Sequence, residues 1–128
     1  MEIMTNNILL DKNVVLDIIS GRPRRAKVLE MLKIFNRLFI STNTFTTCFY
    51  ILRKEKLSKE QIYSYLVDFE ILEIDKMDCH LAYNLAQNID DIEDCMELFT
   101  AKRNSCKMMS SDQKMIAKYG EYFGIVEV

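Results

Sequence analysis

Three aspartates stand where this sequence turns from apolar to polar. Asp11 closes the run ILLD, Asp112 follows CKMMSS, and Asp94 lies within DIEDCM, in the first turn of a predicted helix. Each has an ordinary explanation alone, because aspartate caps helices and its charge suits a helix N-terminus. Together they point to a different chemistry. In an open α/β sheet, ligands bind beyond the carboxyl ends of the strands, where the strand order reverses. Asp11 and Asp112 would share that edge, and Asp94 sits on the helix feeding the fourth strand. Three carboxylates held close raise one another's pKa unless a cation neutralises them. Magnesium or manganese suits an oxygen-only set and keeps several waters. The implied chemistry is metal-assisted cleavage of a phosphodiester, with Asp11, Asp94 and Asp112 as the ligands.

Other residues around these three have weaker signals. Glu97 lies one helical turn beyond Asp94 and could reach a metal through water. Asp17 follows Asn13 by four residues on one helix face, aimed either at the acids or at solvent. The Asp-x-x-Glu spacing of Asp90 and Glu93 predicts a capping pair. Arg22, Arg24, Arg25 and Lys27 form the densest positive patch, and phosphate contacts from it would position a nucleic-acid strand without reading sequence. The alternative is a solvated helix start. Tyr50, Tyr63 and Tyr65 could stack on bases; their helical spacing among Leu and Ile predicts core or partner-facing positions instead. The single histidine, His80, adjoins Cys79, and neighbours on a helix point apart, which argues against cysteine or serine hydrolase chemistry. No GxSxG, Walker A or GxGxxG motif occurs.

The elements that must position these residues are set by punctuation and periodicity. NILL (7–10) reads as a buried strand, with a helix after it through VVLDII that stops at Ser20-Gly21. Pro23 is a plausible start for the next helix, where Val28, Leu29, Met31, Leu32 and Phe35 share one face. Residues 38–40 form a second strand, with STNT capping a helix over about 43–56. Ser58 and Gln61 make a capping box opening a helix to about residue 68. FEILEID is a third strand, succeeded by helices over roughly 78–88 and 92–104. Residues 107–110 form a fourth strand, Asp112 caps a short helix ending near Gly120, and 124–128 is a final strand. Strands alternating with helices predict an α/β fold: a three-layer α/β/α sandwich around a mostly parallel sheet.

The chain has 128 residues, 49% of them hydrophobic and 28% charged. That is the size and composition of one globular domain over 1–128, not of a disordered chain. A net charge of −2 gives no general attraction to nucleic acid, so any such binding needs a local patch. Cys48, Cys79, Cys95 and Cys106 show no zinc-ligand spacing and read as reduced thiols packed as small hydrophobes. No apolar run approaches a membrane span and no signal-peptide pattern opens the sequence, so a cytoplasmic protein without membrane contact is expected.

Over nearly its whole length the chain resembles the PIN domain family, in particular the endoribonuclease toxins of type II toxin–antitoxin pairs. ILLDKNVVLDII resembles the family's opening strand and helix, with Asp11 as the first metal carboxylate and Asn13 as the asparagine that comes after it. DIEDCMELFTAKRNSCKMMSSD resembles its later acidic segment, and the eighteen residues from Asp94 to Asp112 match the family spacing. Ser110 stands where threonine is frequent and could support the metal or its water. One departure matters. The family glutamate on the helix after the second strand corresponds to Thr47 in ISTNTFTTCFYIL. Lys12 stands in place of a small hydroxyl residue and Ser111 in place of arginine. The resemblance implies a Mg- or Mn-dependent, single-strand-directed endoribonuclease with an RNA substrate, a cognate antitoxin partner and possible homodimers. Thr47 leaves open an alternative, a PIN-like RNA- or protein-binding module with weak or no nuclease activity. A phospho-receiver domain using Asp75 is disfavoured, because its acids would cluster at other strands.

Overall fold

The computed structural model describes residues 6–128. Five short strands form one sheet: β1 (Asn7–Leu10), β2 (Arg37–Ser41), β3 (Glu70–Leu72), β4 (Lys107–Ser110) and β5 (Ile125–Glu127). Their order is β3-β2-β1-β4-β5 and every pairing is parallel. The chain steps outward from β1 through β2 to β3, then crosses back to set β4 against the free side of β1. The order therefore reverses between β1 and β4.

Side-chain alternation along the strands divides the core. Ile8, Leu10, Ile40 and Met109 face one helical layer, α1 (Lys12–Ile19), α2 (Arg25–Leu32), α3 (Thr42–Lys54) and α4 (Lys59–Leu66). Leu9, Phe39 and Met108 face the other, α5 (Lys76–Leu85), α6 (Ile92–Arg103) and α7 (Gln113–Tyr119). Both faces of the sheet are covered, which is why these strands read as continuous apolar runs. The result is the three-layer α/β/α sandwich expected from the alternation. Among the described residues, no helix is long and apolar enough to cross a membrane.

Local signals set the helix ends. Gly21 takes φ +62° after α1, and the Arg22 N–H donates to the Asp17 carbonyl at 3.1 Å, closing the helix as a Schellman turn. The Ser58–Gln61 capping box is present at α4. Four expectations need correction. Asp75 and Asp78 form a second capping box, so α5 begins at Lys76, earlier than the apolar pattern suggests. Pro23 precedes the helix start, which falls at Arg25. Glu93 does not cap α6, whose first turn has no side-chain cap. Its carboxylate instead accepts a bond from Lys12 Nζ at 3.1 Å. Tyr50, Tyr63 and Tyr65 are exposed, which removes a core role for them.

Candidate metal centre at the switch point

The carboxyl ends of β1 and β4 meet where the strand order reverses, and the first and last of the three aspartates are there. The Leu10↔Met109 register, carried one residue further, sets Asp11 beside Ser110. The Asp11 N–H continues the ladder to the Met109 carbonyl at 3.0 Å. Ser110 Oγ donates to Asp11 Oδ2 at 2.8 Å, and the Asp112 N–H donates back to Ser110 Oγ at 3.1 Å. A single buried hydroxyl thus ties both aspartates together. Asp11 Oδ1 caps α1 through the Lys12 N–H, and Asp112 Oδ1 caps α7 through the N–H groups of Lys114 and Met115. Asp94 is half-buried in the first turn of α6 and accepts no hydrogen bond from any described residue.

The electrostatics couple all three. Burial, then the charges of Asp11, Asp112 and Glu93, push Asp94 up to about 6, against a partial offset from Lys12. Burial also raises Asp11, opposed by its bonds from Ser110 and Lys12 and reinforced by Asp112. Partial burial pulls the Lys12 ammonium down, but the hydrogen bond and charge of Glu93 outweigh it and hold Lys12 above its usual range. Lys12 therefore stays cationic at the rim and neutralises only part of the cluster.

Glu97 is buried beneath this edge. Its Oε1 accepts hydrogen bonds from Ser41 Oγ and, at 3.0 Å, from Thr44 Oγ1, while Oε2 is buried with no partner among the described residues. Burial foremost, with the charges of Asp11 and Glu93, pushes Glu97 up to about 7 against the two hydroxyl bonds. In the sequence, Ser41 and Thr44 are legible only as the capping hydroxyls of STNT, and Ser41 does cap α3 through the Thr44 N–H. Their second role, toward a residue more than fifty positions away, has no local signal. Thr47 is half-buried on the same helix. Burial pushes the neighbouring Cys48 thiol up to about 12, so it is no nucleophile.

A polar cleft of about 480 Å³ opens beside the aspartates, lined by Asn13, Asp17, Arg22, Pro23, Arg24, Ser111 and Asp112. Asp17 faces this cleft and not bulk solvent: it is buried and lies 3.9 Å from Arg24 Nη1. The basic cluster is split. Arg22 and Arg24 line the cleft, Arg25 donates to the Ile18 carbonyl at 2.9 Å, and Lys27 is exposed. A smaller cavity of about 230 Å³ lies at the other end of β4, lined by Leu98, Lys107, Met108 and Phe123 among others, and carries no carboxylate.

Among the described residues, no three His, Cys, Asp or Glu side chains are already drawn into a chelating group. Mutually repelling carboxylates do not close on one another without a cation. The donor set nonetheless fits a hard divalent ion. It is all oxygen and partly desolvated, Asp11 and Asp94 are both raised by burial and by neighbouring charge, and Glu97 Oε2 is left orphaned.

The fold is a parallel α/β/α sandwich with carboxylates gathered at the switch point of its sheet. The PIN domain profile matches residues 8–121, and the chain belongs to the PIN domain family. It is similar in structure to a protein in a toxin–antitoxin complex from Klebsiella pneumoniae, with TM-score 0.76 and 21% identity over 94% of this chain and 99% of that one. It is also similar to VapC20 from Mycobacterium tuberculosis, described as a sarcin–ricin loop cleaving toxin, with TM-score 0.72 and 11% identity over 94% and 98% of the two chains. VapBC2 from Rickettsia felis, solved with a fragment of promoter DNA, gives TM-score 0.69 and 18% identity over 94% and 98%. No curated protein is a significant sequence match.

Proposed function

We propose that this chain, as one domain over 1–128, is a divalent-metal-dependent endoribonuclease of the toxin type, acting on single-stranded RNA in the cytoplasm and held in check by a cognate antitoxin. The observation that supports it most is the proximity of Asp11, Asp94 and Asp112 at the β1–β4 switch point, where burial first and then the charges of the other two push Asp94 up to about 6. Family membership and the toxin–antitoxin neighbours agree with it. Asp11, Asp94 and Asp112 would hold Mg or Mn. When bound, such an ion supplies Lewis acidity to a phosphoryl oxygen and lowers the pKa of a water. The chain's own residues do the rest. Ser110 fixes the Asp11 carboxylate, and Lys12 with Asn13 flanks it at the start of α1. Arg22 and Arg24, across the cleft from Asp112, contact flanking phosphates and set the strand's position. Arg25 and Lys27 contribute only long-range attraction. The exposed apolar residues of α5, Met77, Leu81 and Tyr83, offer a surface for a homodimer or for the antitoxin.

The test is RNA cleavage by the purified chain with Mn²⁺, with chelator, and as Asp94→Asn. Cleavage that needs the metal and is lost in the variant is expected. A protein that cleaves no RNA with Mn²⁺, and binds the ion equally well as Asp94→Asn, refutes the proposal. Thr47 motivates the second reading, an RNA- or protein-binding module. RNA binding without metal uptake or turnover would establish that reading instead.

A further inference from the structure

Glu97 is only 3% exposed, yet one of its two carboxylate oxygens has no hydrogen-bond partner among the described residues. Buried polar atoms nearly always find partners, and a buried unpaired charge is strongly destabilising. Ser41 and Thr44 satisfy Oε1 and leave Oε2 untouched.

The strand registers say what Oε2 lies near. Leu9 pairs with Phe39 across β1 and β2, so the same register carried two residues on sets Ser41 beside Asp11, about 5 Å away at the neighbouring strand end. Ser110 flanks Asp11 on its other side. Ser41, Asp11 and Ser110 therefore line one sheet edge, and Glu97 is hydrogen-bonded to the first of them. Glu97 also sits one turn after Asp94 on α6, a spacing that puts both carboxylates on one helix face. On α3, Thr44 and Cys48 are buried toward this edge, and the helix carries no carboxylate.

We propose that Glu97 is the fourth metal carboxylate of this site, with Oε2 as its free donor atom and Oε1 fixed by Ser41 and Thr44. The negative charge that α3 lacks is supplied from α6. This inference rests on the metal-dependent function proposed above, and its failure is separable from that of the function.

The experiment is Mn²⁺ binding to the metal-stripped full chain, by calorimetry and by the Mn²⁺ spin-resonance spectrum, for wild type, Glu97→Gln and Asp94→Asn. Glutamine keeps the shape and, through its amide oxygen, the acceptor for both hydroxyls, while an uncharged NH2 group replaces the Oε2 donor. Glu97→Gln is expected to lower Mn²⁺ affinity by about tenfold or more and to alter the bound-ion spectrum. Unchanged affinity in Glu97→Gln, with affinity lost in Asp94→Asn, overturns the role of Glu97 and leaves the metal centre standing. Unchanged affinity in both removes the metal centre itself. Thr44→Val is the second variant, for use if Glu97→Gln fails to fold. It frees Oε1 from one donor, and a several-fold drop in affinity supports the assignment while no change overturns it.

Discussion

Neutralising Asp94 should stabilise the metal-free protein, the opposite of what removing a structural carboxylate does. The folded pKa of Asp94 lies at about 6 against an ordinary 3.8. An acid whose pKa is raised by folding binds its proton more tightly in the native state. Its penalty is therefore absent below about pH 4, grows between pH 4 and 6, and is complete above that. A two-unit shift corresponds to about 3 kcal/mol. Asp94 is half-buried, and solvent screening reduces this to about 1–2 kcal/mol. For a chain of this length, that is a rise in Tm of roughly 3–8 °C for metal-stripped Asp94→Asn at pH 8. The two proteins should converge near pH 4. Adding Mn²⁺ to about a hundred times its Kd contributes about 2.7 kcal/mol to wild type alone and reverses the order. Scanning calorimetry at pH 4 and pH 8, with and without Mn²⁺, measures all four states. A less stable Asp94→Asn at pH 8 without metal, or an equal response of both proteins to Mn²⁺, refutes the reasoning.

Three further outcomes are expected from the same contacts. Ser110→Ala removes the 2.8 Å bond to buried Asp11 Oδ2 and should cost about 1–2 kcal/mol in urea unfolding, with weaker Mn²⁺ binding alongside. Arg22→Ala with Arg24→Ala should weaken RNA binding and flatten its log–log salt dependence by about 1 to 1.5, since each arginine lines the cleft and on the proposed function would make one phosphate contact. Filter binding at several salt concentrations checks this, and an unchanged slope removes both from the RNA path. Asp78 concerns acid stability instead. Burial alone would raise it, but bonds from Arg103, the Asp75 N–H and Thr100 hold it below the usual carboxylate range. Its contribution is present above the unfolded pKa of about 3.9 and is lost as pH falls through the lower folded value. Arg103→Met should move the acid-unfolding midpoint to higher pH, measured by circular dichroism.

What is legible in the sequence is what local patterning encodes. Buried parallel strands must be apolar on both faces, so NILL and KMMS announce themselves, and the Ser58–Gln61 box marks its helix because its partners are three residues apart. Contacts between distant segments leave no such trace. Glu93 has the spacing of a capping residue, but Lys12, 81 positions earlier, takes its carboxylate. Asp91 points its side chain to Tyr119 Oη at 2.7 Å and to Lys118, so α6 starts without a side-chain cap. The start of α5 lies two residues before the expected one, because Asp75 and Asp78 form the capping box that opens the helix. Glu97 reads as a residue one turn beyond Asp94 that could reach a metal through water, and only Ser41 and Thr44, 56 and 53 residues away, fix where its carboxylate sits.

The structural and chemical accounts of these aspartates are not rivals, because a carboxylate has two oxygens. Asp112 spends Oδ1 on the N–H groups of Lys114 and Met115, and its Oδ2 accepts no hydrogen bond from a described residue. A cap needs only the first oxygen, whereas a cation site needs the charge. Two substitutions at this position separate the roles. Asparagine caps about as well as aspartate and removes a charge that repels Asp11 and Asp94, so Asp112→Asn should leave the metal-stripped protein at least as stable as wild type. Alanine removes the cap as well, and Asp112→Ala should lose about 1 kcal/mol. Both should lose Mn²⁺ affinity to a similar extent, because both lose the charge. If Asp112→Asn binds Mn²⁺ as wild type does, Asp112 is a cap and nothing more. The cluster would then hold its cation with Asp11 and Asp94, and the case for a ligand at α7 would end there.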